Sequence, residues 1–127
     1  MNKPSNPATV HKPGSPYSHA VETTGATRWL TISGQVGVDP SGKLAGDARG
    51  QIEQAFSNLA AVLEANGMGM QDLVKTTVFL TRREDLAMYR EIRGKWLGTA
   101  EPASTLLFVA GLAAPEMVVE VEGVAAK

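Results

Sequence analysis

The stretch from Leu73 to Leu80 reads LVKTTVFL, and its valines and threonines are β-branched residues that favour a strand. Before it, from about Ala48 to Asn66, an apolar stripe at helical spacing predicts a helix; its members are Ile52, Phe56, Leu59 and Leu63. Asp47 suits the N-cap of that helix and Gly67 suits its C′ position. The chain therefore enters this strand from an amphipathic helix.

A second helix is predicted after the strand, from near Arg82 to Gly98. Thr81 and Glu84 have the spacing of a capping box at its start. Its apolar stripe consists of Leu86, Tyr89, Ile92 and Trp96. The central strand is thus expected to lie between two helices that pack on the same side.

Four outer strands complete the predicted order of elements. They are Ala20–Thr23, Trp29–Val36, Thr105–Val109 and Met117–Val124. In the second of them, alternation predicts that Leu30, Ile32 and Val36 share one face, with Trp29, Thr31, Ser33 and Gln35 on the other. The predicted order is therefore strands, helix, strand, helix and strands, and this order indicates an α+β fold.

Two helices can cover only one face of such a sheet. The other face would expose apolar side chains such as Phe79 and Leu107, and apolar patches of that kind usually contact a partner. We therefore expect a homo-oligomer.

Composition indicates one soluble, cytoplasmic domain over residues 1–127, with residues 1–16 as a proline-rich extended arm. The chain has no cysteine, and 12 basic against 13 acidic residues give a net charge of −1. Thiol chemistry is excluded, and no basic field favours nucleic-acid binding. The N-terminus lacks an apolar stretch, and the run from Leu106 to Ala114 is too short to span a bilayer.

Two short motifs are better explained by structure than by ligand binding. Gly37, Gly42 and Lys43 have the spacing of a phosphate-binding loop, but Leu44 stands where that loop needs Ser or Thr. The same residues fit a type I turn over residues 39–42. His11 and His19 are too far apart on extended chain to chelate a metal, so we predict no metal site.

Glu120 and Glu122 form the clearest chemical pair. Strand alternation places both carboxylates on one face, about 7 Å apart. They either belong to a solvated face, with Lys75 as an ion-pair partner, or line a pocket in which one of them handles water or a proton.

Several motifs together resemble the RidA/YjgF family. They are YSHAV from Tyr17, SGQV from Ser33, NLAAVLEA from Asn58, DLVKTTVFL from Asp72, Pro102-Ala103, and VEVE from Val119. The resemblance implies a chorismate-mutase-like fold, with one mixed sheet and two helices on one face, in a homotrimer with ligand sites in the clefts between subunits. Typical members hydrolyse 2-imino or 2-enamino acids to 2-keto acids and ammonia, without metal or organic cofactor.

The resemblance also implies a set of site residues. Tyr17, the Ser33-Gly34 backbone and Glu120 match the family's pocket, where the resemblance implies that the glutamate positions water. The family's carboxylate-binding arginine is replaced by Ser104, which Thr105 follows. On the second helix, Arg90 stands for the family's asparagine and Arg93 for a tyrosine.

Three functions therefore stay open. In the first, the protein is a deaminase in which Arg90, or else Arg93, supplies the cation that binds a small carboxylate-bearing metabolite. In the second, the trimer binds such a metabolite without catalysis. The third is the ribonuclease or translation-inhibitor role that some relatives' names carry, and the near-neutral charge disfavours it.

Overall fold

The computed structural model describes residues 1–127 as six strands and two α-helices. In chain order they are β1 (Asn2–Ser5), β2 (Ala20–Thr23), β3 (Trp29–Val36), α1 (Ala48–Ala65), β4 (Leu73–Leu80), α2 (Leu86–Leu97), β5 (Ala103–Phe108) and β6 (Val119–Ala126). Short 3₁₀ turns precede β4 and α2, at Met70–Asp72 and Arg83–Asp85. The α+β class predicted from the order of elements is confirmed.

The main sheet is mixed and has the strand order β3-β6-β4-β5. β4 runs parallel to β5, while β6 runs antiparallel to both β3 and β4. β1 and β2 form a separate antiparallel pair. α1 packs on β3 and β6, and α2 packs against α1, so one sheet face is covered and the other, the open face, is left to solvent.

The stripe of α1 supplies much of the core, as predicted. Ile52, Phe56, Leu59 and Leu63 are at most 1% exposed. The Asp47 carboxylate accepts a hydrogen bond of 2.7 Å from the Gly50 amide and so caps the helix. Beyond the C-cap residue Asn66, Gly67 has φ of +69°, a left-handed conformation that glycine adopts without strain.

The predicted start of α2 is wrong by four residues, and the capping box does not form. Arg82 donates to both oxygens of Asp85, at 2.8 and 3.0 Å, and the intervening residues close a 3₁₀ turn instead of a helical one. The helix therefore begins at Leu86. Tyr89 and Ile92 are buried as expected, Leu86 and Trp96 are half-buried, and Gly98 ends the helix.

The alternation predicted for β3 is wrong after Ile32. A β-bulge at Ser33-Gly34 shifts the pairing, so that Gln35 lies opposite Val121 and Val36 opposite Glu120. Paired residues share a face, and Val36 is therefore on the open face while Gln35 is on the helix side. The extra residue reverses the period-2 pattern.

Two of the predicted strands have different ends in the structure. β5 begins two residues earlier than predicted, and β6 begins and ends two residues later. Within residues 1–16, β1 forms despite Pro4, which lies on an edge strand where its missing N–H is tolerated. The Asn2 side chain donates a hydrogen bond of 2.9 Å to the Ala126 carbonyl and so connects this strand to β6. Neither α1 nor α2 has the length and apolarity of a membrane-crossing helix.

Candidate functional site

A cavity of about 200 Å³ opens between α2, β5 and the segment that leads into β2. We call it the arginine pocket; it is lined by Ser15, Tyr17, Tyr89, Arg90, Arg93, Ser104 and Leu106. Helical spacing brings three of these side chains to one side of α2, and alternation brings two from β5. The structure thus unites the predicted residues Tyr17, Arg90 and Ser104 around one space.

Ser104 faces this pocket because it lies in register with Thr76 of β4, on the helix side of the sheet. The Thr76 hydroxyl donates to the Ser104 hydroxyl at 3.0 Å. The proton of Ser104 therefore stays available for a ligand oxygen.

Arg93 is the buried cation of the pocket, with only 6% of its surface exposed. Its Nη1 donates to the Pro16 carbonyl, whereas Nη2 has no hydrogen-bond partner in the chain. It forms no ion pair; the carboxylates of the chain that do pair with arginine engage Arg49 and Arg82. Burial lowers the pKa of Arg93, and the nearby Tyr89 opposes this shift.

The pocket is positively charged. Arg90 is exposed at its edge, Arg93 is buried in its wall, and no Asp or Glu lines it. Burial raises the pKa of Tyr89, so that its phenol stays neutral and can only donate or accept a hydrogen bond. These charges and donors suit an anion, and the volume suits a small one.

The remaining predicted site residues lie on the open face. Glu120 lies opposite Val36 and Phe79, and its carboxylate makes no hydrogen bond or ion pair within the chain. The β3 bulge passes beneath it, since a Cβ on Gly34 would be 1.8 Å from Glu120 Oε2. Ser33, in the same bulge, is exposed.

Thr105 is also on the open face, where it accepts a hydrogen bond of 2.7 Å from Lys75 Nζ. As predicted, Glu122 shares the face of Glu120, while Val119 and Val121 are buried on the other. The suggested ion pair with Lys75 does not form, and the Lys75 ammonium group donates to Thr105 instead. Within one chain, the Glu120 cluster and the arginine pocket therefore lie on opposite faces of the sheet.

The motif around Gly42 forms the turn that we predicted. Gly42 N donates to the Asp39 carbonyl at 2.9 Å, which closes the predicted turn, and the Asp39 carboxylate accepts from the amides of Ser41 and Lys43. The Ser41 hydroxyl also donates to this carboxylate, at 2.6 Å, and its hydrogen bond, together with those from the amides, lowers the pKa of Asp39. The His19 ring is hydrogen-bonded at 2.6 Å to the carbonyl of His11. No cluster of three or more His, Asp or Glu is placed to hold a metal ion.

Comparison with known proteins places this architecture in a family. The endoribonuclease L-PSP family profile matches residues 8–127. A RutC family protein from Pyrococcus horikoshii is 35% identical over 118 residues, which cover 91% of this chain and 90% of that protein. The human 2-iminobutanoate/2-iminopropanoate deaminase is 36% identical over 122 residues, 93% of this chain and 86% of the human one.

A solved structure agrees closely. A Rid family protein of unknown function from Yersinia pestis superposes with a TM-score of 0.88 at 32% identity, over 99% of this chain and 98% of that one. Two helices on a mixed sheet are thus the chorismate-mutase-like fold that the motifs implied. The chain belongs to the endoribonuclease L-PSP family, which is the RidA/YjgF family of the sequence motifs.

Proposed function

We propose that this protein binds a small carboxylate-bearing metabolite and hydrolyses 2-imino or 2-enamino acids to 2-keto acids and ammonia. The observation that supports this most is the acid-free arginine pocket, which offers two cations and the Ser104 hydroxyl to a small anion. The deaminase name of the human relative supplies the reaction class.

The proposed chemistry needs one water and no cofactor. Water adds to C2 of the imine, and the resulting carbinolamine loses ammonia as the C2 carbonyl forms. Glu120 would orient the water and carry its two protons to the nitrogen in turn, the first as the carbinolamine forms and the second as its hydroxyl becomes the C2 carbonyl. An enamine substrate would first be protonated at C3 to give the imine.

A homotrimer would reconcile this chemistry with the separation of the two clusters. Glu120 and the arginine pocket lie on opposite faces of one sheet, so one chain alone does not supply both to one substrate. A cleft in which the pocket of one chain meets the open face of the next would do so. The same contact would cover Leu107, which is 46% exposed.

The direct test is release of ammonia and 2-oxobutanoate from 2-iminobutanoate. We expect turnover by the native protein and a loss of roughly 10²–10⁴-fold in kcat for Glu120→Gln. Glu122→Gln is the matched control, because Glu122 lies two residues away on the same face and is more exposed. Equal losses in both variants would remove Glu120 from the mechanism.

A non-catalytic binding trimer is the second candidate, and the residue at position 104 favours it. A serine gives one neutral hydroxyl where typical members have a fork of charged donors. Ser104→Arg discriminates between the two functions. If only the variant releases ammonia, the native protein binds without hydrolysing.

A further inference from the structure

We propose that Arg93, and not the exposed Arg90, is the residue that binds the ligand carboxylate, in a pocket selective for short monocarboxylates. This inference rests on the proposed function for the ligand class. It assigns the lost family arginine's task to a different element, the middle of α2.

The geometry of the guanidinium is the first argument. Arg93 Nη1 is fixed on the Pro16 carbonyl, which holds the side chain in one orientation, and Nη2 has no partner in the chain. Arg90 is exposed, so water can solvate its charge and the side chain has no fixed partner. A preorganised donor loses less entropy on binding than a mobile one.

The buried charge is the second argument. A buried cation is normally paired with a carboxylate, and removing it from water without such a partner is costly. Arg93 donates only to the Pro16 carbonyl, and the other polar groups of the pocket walls are hydroxyls and the Arg90 cation, with no carboxylate among them. A carboxylate ligand would provide the missing counter-charge and occupy the free Nη2.

The rest of the lining restricts the ligand. Ser104 accepts its hydrogen bond from Thr76 and can donate to the second carboxylate oxygen. Leu106 offers an apolar surface for a short side chain. A cavity of about 200 Å³ admits a ligand of a few carbons and is below the size of common drug-sized sites.

The experiment measures binding without turnover, with sodium 2-oxobutanoate as the probe. We expect calorimetry to show binding to the native protein and at least a tenfold weaker Kd for Arg93→Met, which keeps the side-chain volume but removes the charge. Arg49→Met is the charge-matched control, because Arg49 lies in an exposed ion pair with Glu91, and its Kd should equal the native one.

Thermal unfolding separates ligand binding from a structural role for Arg93. If Arg93 binds the ligand, Arg93→Met without ligand should melt at or above the native Tm, since an unpaired buried charge is removed, and 2-oxobutanoate should no longer raise its Tm. If Arg93 is structural, the variant should melt below the native Tm. If the variant does not fold, Arg93→Lys keeps a cation but loses the Nη2 donor, and the same tenfold loss is expected.

Native-like binding by a folded Arg93 variant would overturn the inference, as would the absence of 2-oxobutanoate binding to the native protein. Neither result depends on catalysis. A protein that binds 2-oxobutanoate through Arg93 but releases no ammonia would instead refute the proposed hydrolysis and leave the inference intact.

Discussion

At Gly34 the backbone of β3 passes so close to Glu120 that no side chain fits between them. A methyl group there would meet Oε2 at 1.8 Å, yet Gly34 does not have a positive φ, so an alanine would not strain the backbone. Gly34→Ala should therefore displace the carboxylate and lower kcat, with a change in stability of at most about 1 kcal/mol. Ammonia release and urea unfolding measure the two effects.

Gly46→Ala is the control for this substitution, because an added Cβ at Gly46 meets no atom within 4 Å. It should change neither activity nor stability appreciably. An active Gly34→Ala protein would show that the position of the Glu120 carboxylate does not matter for the reaction.

The buried phenol of Tyr89 makes the free energy of unfolding depend on pH in the alkaline range. Burial raises its pKa above the ordinary value of 10, so the folded state holds the phenol proton after the unfolded chain has lost it. Stability from this group is complete below pH 10 and declines as pH rises through the folded pKa. Between pH 9 and pH 11, the free energy of unfolding should fall by about 1 kcal/mol less in Tyr89→Phe than in the native protein. Urea unfolding at each pH measures this difference. Parallel declines in both proteins would contradict the shift.

The sequence predicted that Tyr17, Arg90 and Ser104 would lie near one another, but it did not predict that Arg93 is buried while Arg90 is exposed. Arg90 and Arg93 are three positions apart on α2, so helical periodicity places both near the same face. Arg93 is buried, and it donates to the Pro16 carbonyl, which belongs to a distant segment of the chain. Periodicity within one helix contains no information about that contact.

Among the elements, α1 depends on a cap that can be tested separately from its packing. Asp47 is exposed, and its main local contact is the 2.7 Å hydrogen bond from the Gly50 amide. Asp47→Ala should cost about 1 kcal/mol of unfolding free energy, whereas Asp47→Asn should retain most of it because the amide oxygen can still accept. Chemical unfolding of the native protein and both variants measures these free-energy changes, provided that all three proteins have the same m-value. If Asp47→Ala has the same free energy of unfolding as the native protein, packing of the apolar stripe alone determines where the helix begins.

Elements defined by a continuous hydrophobic pattern were predictable, and those modified by a specific side-chain contact or by strand pairing were not. α1 has its stripe, its cap and its terminal Gly67 in one continuous stretch, and its bounds were predicted to within a residue. The start of α2 depends on the Arg82–Asp85 ion pair, and the face of Val36 depends on a bulge set by pairing with β6. Local propensity is overridden where such contacts are stronger.

For the whole molecule, the open face is the feature that most limits what a single chain can do. It combines the free Glu120 carboxylate with apolar groups such as Phe79 and Leu107. The pocket with its two cations is on the other side of the sheet. A site that uses both must be assembled from two chains, which is the prediction that family resemblance also makes.

Mixing two inactive variants tests that assembly. Arg93→Met and Glu120→Gln each remove one half of the proposed site, and neither residue contacts the other within a chain. If the halves come from adjacent subunits of a closed ring, random mixing at equal amounts restores both native residues in about a quarter of the clefts. We therefore expect the unfolded and refolded mixture to regain about a quarter of the native ammonia release, with native mass spectrometry confirming trimers of mixed composition. Native protein refolded with the double variant is the control for loss during refolding. Mixed trimers without activity would mean that both residues act from the same chain, or that one of them is not in the site.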